Sequence, residues 1–556
     1  MHIRPLEGRP RRLASSKALL AVAVALSALA LGGVAGGSTG GAVLTKSGPA
    51  DEGPYPYAYP ASGTVKVGQG STISGIKCKP GVNQFASPYA PPCIAHFTGN
   101  NGGATSRGVT SNEILLAQRE FPVTSNSQQI ASQAAAAGVA LPQVTDQIEQ
   151  VFLKYFNKVY DLYGRKVVIQ PMNATGNSTT EALNQGQAQA CADAATITDQ
   201  MHAFAESGLL HNFQGGGTGP FSLCAAQDHL VEFAGNAYFD EASFQKENPY
   251  VWALTQNCTD ISQNEAEVVG TMLGGKKAAF AGDPTLQTKV RKFGTYVPNV
   301  PAYLSCTQNA VNLLTKKYHV AASDLVKFAY GLDISTFSQS AQQAIVQFKA
   351  AGVTTVILAC DPYSMGLLTM AAVQQNYHPE WFTIGTALTD ADPSPQTYAN
   401  AAEVTGHLFG MSEASPSNVL TGPKSLAGKL YQKLTGHVIP KETDGDYGQL
   451  VEIFDMLQAA GPDLTPQNLA RGIRAIGPLG APVYQYGKWS WNIGTTGKAG
   501  VGEHTAGVDA RFIWWNGNGI SPLNHKPGTY VAAFGGKRFT LGQWPTKLPP
   551  MFTTSG

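Results

Sequence analysis

The stretch DLVKFAYGLDISTFSQSAQQAIVQFKAAGVTTVILACDPYSMGLLTMAAVQQNYHPEWFTIG, residues 324–385, decides the fold. Leu325 to Tyr330 reads as a short apolar strand. Phe337, Ala341, Ala344, Ile345 and Phe348 then recur on one face of a helix that Gly352 can end in a left-handed cap. Val353 to Ala359 runs apolar and β-branched without alternation, which suits a parallel strand covered by helices on both faces. A second helix, about Ser364 to Asn376, leads to a strand at Trp381 to Gly385. Strand, helix, strand, helix, strand predicts a doubly wound α/β sheet.

The same rhythm occurs upstream. Strands are expected at Ile114 to Glu120, Lys166 to Met172, near Ala203, at Leu230 to Ala234 and at Tyr250 to Leu254, with helices at Thr145 to Leu162 and Glu181 to Met201. Between the halves, Glu265 to Leu273 reads as a helix and Lys277 to Ala281 as the strand after it. Leu450, Ile453, Phe454 and Leu457 mark an amphipathic helix stopped by Gly461-Pro462, and Thr465-Pro466 opens another through Ile476. Beyond Val483, Trp, Gly, Tyr and Asn alternate with turn residues, as in irregular β structure. Two α/β lobes account for most of the chain.

The ends and the composition set the context. Arg4, Arg9, Arg11, Arg12 and Lys17 precede an uncharged Ala/Leu/Val run from Ala18 to Ala35, so residues 1–35 read as a signal peptide, or as an uncleaved N-terminal anchor. Residues 36–104 are rich in Gly, Ser, Pro and Tyr and read as a spacer and N-terminal arm. An exported, extracytoplasmic protein is expected. Over 556 residues, 38 Lys+Arg against 37 Asp+Glu leave a net charge of +1, so no basic field exists to attract nucleic acid. In an oxidising compartment the seven cysteines are expected to pair. Cys78 and Cys93 flank a Pro/Gly-rich loop; Cys191 with Cys224 and Cys258 with Cys306 are neighbours in sequence, which leaves Cys360 over.

Catalytic patterns are weak. Gly270-x4-Gly275-Lys276 lacks the following Ser/Thr of a phosphate loop and sits between a helix and a strand, the reverse of the required order, so it reads as a helix end. Gly215 to Gly219 reads as a flexible connector rather than an anion cradle. The sequence has no H-E-x-x-H, and its 11 His are scattered, so neither an enzyme nor a metal or other cofactor is expected.

Several segments carry a resemblance. Cys93-Ile94-Ala95-His96-Phe97, Gly102-Gly103-Ala104 and Gly108-Val109-Thr110 lead into Glu113-Ile114; Tyr163-Gly164-Arg165-Lys166 precedes a strand. The Gly352 to Gly385 unit follows, and Pro527-Gly528-Thr529-Tyr530-Val531, Gly535-Gly536-Lys537-Arg538-Phe539 and Gly542-Gln543-Trp544-Pro545 close the chain. In this order the chain, over roughly residues 93–548, resembles the type I periplasmic binding proteins. More narrowly, it resembles substrate-binding proteins of branched-chain amino acid type ABC transporters, in the form found in high-GC Gram-positive bacteria. The resemblance implies two Rossmann-like lobes joined by a three-crossover hinge that closes on a ligand. Lobe 1 would comprise 105–254 and 413–478, and lobe 2 255–412 and 479–556. It further implies a monomeric receptor that delivers a small polar ligand (an amino acid, amide or related solute) to an ABC permease. A ligand-sensing subunit for a membrane signalling partner is the alternative.

Open α/β sheets bind ligands beyond the C-terminal ends of their strands, and this rule selects the candidate contacts. In lobe 1 they are Ser207, Gly208, Asn236, Tyr238, Thr255 and Gln256; in lobe 2, Asp283, Asp361, Tyr363 and Thr386. Asp361 could equally cap the helix that follows it, and Asn236 could form a turn. The family's amino acid binders commonly place an acid just after the Trp381 to Gly385 strand. Here that position is Thr386-Ala387, so Asp361 or Asp283 would supply any countercharge.

Overall fold

Apolar runs that are covered on both faces become the strands of two sheets. A computed structural model describes residues 65, 67–121, 142–177, 181, 185–208, 219–234, 240–386, 389–413, 422–440, 444–476, 479–480, 492–493, 503–505, 507, 509–522 and 524–553. The expected signal segment, Asn236 and Tyr238 lie outside these residues, and none of the described helices is long and apolar enough to cross a membrane. The first sheet contains β1 (Glu113–Glu120), β2 (Lys166–Asn173), β3 (Ala205–Glu206), β4 (Val231–Ala234) and β5 (Val251–Ala253). Its order is β2-β1-β3-β4-β5, with every pairing parallel.

The second sheet contains β6 (Phe293–Pro298), β7 (Leu325–Tyr330), β8 (Thr355–Leu358), β9 (Glu380–Thr383) and β10 (Leu408–Ser412). After the two-residue ribbon β11 (Leu479–Gly480) and β12 (Asn492–Ile493), it is completed by β13 (Asp509–Ile520), β14 (Pro527–Ala532) and β15 (Arg538–Thr540). The order is β14-β13-β10-β9-β8-β6-β7 with β15 on β13; β6 to β10 are parallel and the last strands antiparallel. β8 illustrates why the parallel core holds. Ile357 packs with Phe293, Val297 and Phe382 on one face, while Val356 and Leu358 pack with Ile345, Phe348 and Trp381 on the other. Each such side chain contributes about 1.5–3 kcal/mol on full burial.

The helix expected between β7 and β8 spans Phe337–Ala351 and ends at Gly352, φ 71°, whose N–H bonds to the carbonyls of Phe348 and Lys349. It approaches the sheet over Gly294, where an added Cβ would lie 2.9 Å from the Phe348 ring. That close fit explains why β6 is the strand here. The expected strand at Lys277 to Ala281 does not form: Lys277 makes only an isolated bridge to Val290, and Ala281 turns back to the Ala278 carbonyl. That segment buries only Ala278 and Ala281 fully, with Phe280 partly covered, against Phe293, Tyr296 and Val297, so the latter segment takes the sheet position. The helix Pro301–Lys316 after β6 was not marked by the sequence reading.

The chain returns to the first sheet late. Helices Leu426–Thr435, Asp444–Ala460 and Pro466–Ile476 share one core with helix Pro142–Val159 and the first sheet, through Phe152, Phe156, Tyr160, Tyr447 and Phe454. The distal half of the spacer and arm belongs to this lobe as well, since Phe85 packs edge-on against Tyr160 at 5.1 Å and Tyr89 is buried in the same core. Disulfides join Cys78–Cys93, Cys191–Cys224 and Cys258–Cys306 at Cα separations of 5.5, 5.1 and 5.8 Å, and Cys360 is free and buried.

Candidate ligand-binding cleft

Three chain segments pass between the lobes, and their departure points locate the cleft. The C-terminal end of β5 continues through Leu254 to Gln256 into lobe 2. The C-terminal end of β10 continues through Ser412 and Glu413 toward lobe 1, and Thr505 to Asp509 returns into β13. The three are laced together. Ala253 N–H donates to the His504 carbonyl at 2.8 Å, Gln256 N–H to Glu413 Oε2 at 3.0 Å, and Gln256 Nε2 to the Asp509 carbonyl at 2.7 Å. The Thr505 hydroxyl donates to the Thr255 carbonyl. Arg538 Nη2 donates to the Asp509 carbonyl at 2.7 Å and to the Glu413 carbonyl. Because two of the crossovers leave from strand C-termini, the C-terminal edges of both parallel sheets flank the hinge, which is where open α/β sheets take ligands.

At the lobe 1 edge, Ser207 and Gly208 directly follow β3. Ser207 is fully buried, and its hydroxyl has no hydrogen-bond partner among the described residues. An unmet buried hydroxyl costs about 1–3 kcal/mol, so it marks a position where a ligand group would be favoured. Behind it stands Glu206, whose Oε2 accepts the Gly208 N–H at 2.9 Å and whose Oε1 accepts the Arg119 N–H at 3.4 Å. Burial raises the Glu206 carboxyl to about 7. Arg119 reaches across to Glu181 at 2.8 Å and Asp193 at 2.7 Å, all three side chains being inaccessible to solvent, and lies over the Phe221 ring at 4.1 Å.

At the lobe 2 edge, Asp361 follows β8. Its Oδ1 accepts the Ser364 N–H at 2.8 Å as a helix cap, and its Oδ2 accepts the hydroxyls of Ser364 at 2.6 Å and Tyr330 at 2.8 Å. The capping reading of Asp361 holds, and its described hydrogen-bond donors are all neutral. Tyr296 stacks on Tyr330 with ring centroids 4.4 Å apart, and the Tyr296 and Tyr398 hydroxyls have no partner among the described residues. Burial raises both phenols further above their ordinary range. Tyr363, half-buried, meets Tyr398 edge-on at 6.2 Å. Thr386 is buried after β9 and its hydroxyl is likewise unpartnered among the described residues.

The remaining candidates divide. Thr255 and Gln256 are in the hinge, where the Gln256 amide nitrogen is committed to Asp509. Asp283 does not reach the cleft. With no strand at Lys277 to Ala281, it caps the short turn Pro284–Gln287 and its N–H bonds to the His378 carbonyl, at the N-terminal edge of the second sheet where Arg291 and Glu380 pair. The phosphate-loop look-alike is a helix end: Gly275 has φ 69°, and Lys276 Nζ is spent on the Thr271 and Thr546 carbonyls. Residues Gly215 to Thr218 lie outside the described set, and Gly219 opens a helix.

The sequence reading missed Glu206, Tyr296, Tyr398 and the hinge acid Glu413, which burial and the neighbouring Asp390 raise to about 8. A signal existed for Glu206, an acid closing an otherwise apolar strand.

Neither a protein-family model nor a curated protein sequence matches the chain. Among solved structures, a leucine-, isoleucine-, valine-, threonine- and alanine-binding protein from Brucella ovis, in its closed conformation, superposes with a TM-score of 0.51. The identity is 13%, over 79% of this chain and 98% of that one. The protein has the type I periplasmic binding protein fold. Two further solved structures are also similar. A fatty acid ABC transporter substrate-binding protein from Thermomonospora curvata matches at 14% identity over 80% of this chain and 96% of that one, TM-score 0.46. A solute-binding protein from Rhodopseudomonas palustris BisB5 in complex with 3,4-dihydroxybenzoic acid matches at 12% over 77% and 98%, TM-score 0.45.

Among the described residues, one group has metal-ligating side chains close together: Glu241, Glu503 and His504, with ligand atoms within 4.8 Å. Its atoms are engaged already. Glu241 bonds to His504 and Asn257, Glu503 to Arg474, and the Arg474 guanidinium lies 3.3 Å from the second His504 nitrogen, a poor setting for a cation.

Proposed function

We propose that this protein is an exported solute-binding receptor that captures a small polar ligand between its lobes and hands it to an ABC permease in the membrane. The observation that carries the reading is the pair of buried hydroxyls without described partners, Ser207 at the end of β3 and Thr386 at the end of β9. One lies on each lobe, and both sit on the edge from which crossovers depart. Polar groups so placed are satisfied when a ligand bridges the lobes, and the binding free energy then favours the closed form. Ligand contacts are assigned to Ser207, Gly208, Asp361, Tyr363 and Thr386, with Asn236 and Tyr238 retained from the sequence rule. Thr255 and Gln256 serve the hinge.

The ligand class follows from a thermal-shift screen of the chain from residue 36 onward against amino acids, amides, polyamines and aromatic acids. A compound bound only by the native state raises the melting temperature by mass action. At saturation with such a compound, solution scattering should record a smaller radius of gyration. An unchanged profile with binding demonstrated would reject closure, and a screen without any shift across these classes would reject the assignment of small polar solutes.

A further inference from the structure

We propose that the Glu206 carboxylate is the positioning residue of the lobe 1 half of the cleft, tying the backbone at the end of β1 to the backbone beyond β3 when ionised and loosening both when protonated. The inference rests on the proposed cleft only for what the tie positions; the tie itself is a property of the free protein.

The geometry is specific. Parallel register sets Ala117 of β1 beside Glu206 of β3, and Glu206 beside Glu232 of β4. Arg119, two residues past Ala117, therefore shares their sheet face, and Glu206 receives its N–H on one oxygen and that of Gly208 on the other. Gly208, immediately after Ser207, has φ 59°, in the left-handed region that favours glycine. An ionised carboxylate accepts both bonds with charge assistance, whereas a protonated one keeps a single good acceptor oxygen.

The surroundings place the change near neutrality. Groups facing Glu206 are Arg119 on β1, Glu232 on β4, and Glu181, which with Asp193 of helix Gln187–Ala195 takes up the Arg119 charge. Ser222 of helix Gly219–Gln227 lies beside Glu232, whose own carboxyl is held well above the usual range by burial and by Glu206. Burial pushes Glu206 up, Arg119 and the two N–H donors pull it down, Glu181 pushes it up again, and the balance leaves it at about 7.

The signs are separable. A carboxyl raised in the folded state gives stability that is fully present below its unfolded value of about 4.5 and is lost as pH rises through about 7. The local tie runs the other way, forming as pH rises. A purely structural carboxyl would move only the first quantity.

Amide hydrogen exchange on the ligand-free protein, corrected for intrinsic rates, tests this between pH 5.5 and 8.5. Protection of the Gly208 and Arg119 amides should rise about fivefold or more through pH 7, and Glu206→Gln should abolish that rise. Flat protection at both amides in the wild-type chain would overturn the proposal, and so would a rise that persists in the variant. The wild-type series stands even if the variant folds poorly. Failure here would leave the receptor reading intact, and an empty ligand screen would leave the tie intact.

Discussion

The two cleft edges share a topology and differ in chemistry. At the lobe 1 edge the loops are anchored by buried charge: Arg119 between Glu181 and Asp193, with Glu206 and Glu232 side by side on the sheet. At the lobe 2 edge they are anchored by neutral hydroxyls and rings, with Tyr330 and Ser364 on Asp361, and Tyr296 stacked beneath. The difference teaches that strand order selects where a ligand site lies, while the side chains that close each strand decide how firmly its loops are held and against which perturbation. A charge network is sensitive to protonation and to loss of one partner; a hydroxyl and ring cluster is governed by packing.

The largest effect expected to test this contrast is reduction. Lobe 1 carries two of the three bridges, Cys78–Cys93 and Cys191–Cys224, and lobe 2 carries Cys258–Cys306. Each native disulfide is worth ~2–4 kcal/mol, so calorimetry with and without reductant should show lobe 1 losing more. Seven reactive thiols in the unreduced, denatured protein would contradict the pairing. Next comes Arg119→Met. Removing the cation leaves two buried carboxylates without their partner and should cost ~3–5 kcal/mol in urea denaturation; a loss below about 1 kcal/mol would mean the network is dispensable.

Asp361→Asn probes the opposite edge. As a cap alone its loss costs about 1 kcal/mol of stability. As countercharge to a cationic group, the same change weakens affinity for a cationic compound found in the screen by ~2–5 kcal/mol, since that charge would be buried unpaired. The second outcome is the expected one, read by titration calorimetry beside the melting curve; unaltered affinity would remove Asp361 from the contacts. The smallest effect belongs to Gly352→Ala. No atom lies within 4 Å of the added Cβ, so only the left-handed φ of 71° is penalised, about 1 kcal/mol, with binding unchanged.

How much could be read in advance varied with range along the chain. The β8 run, the helix before it, the Gly352 cap and the Asp361 cap all rest on residues a few positions apart, and each forms as the spacing indicates. The strand at Lys277 to Ala281 failed because the competing segment, Phe293–Pro298, owes its place to Phe348 and Val353 closing over Gly294, about sixty residues away in the chain. Asp283 fell with that strand.

The sequence by itself determined the parallel α/β class and pointed to Ser207, Asp361 and Thr386 as edge candidates, because hydrophobic period, capping and turn chemistry are local. Only the tertiary structure decided that β6 stands between β7 and β8 in the second sheet and that Gln256 laces three crossovers. It alone set Glu206 beside Glu232 while bonded to the backbone at the end of β1 and just beyond β3. Those arrangements depend on which distant segments pair, and pairing is chosen by total buried surface and by the satisfaction of backbone groups, neither of which a single segment carries.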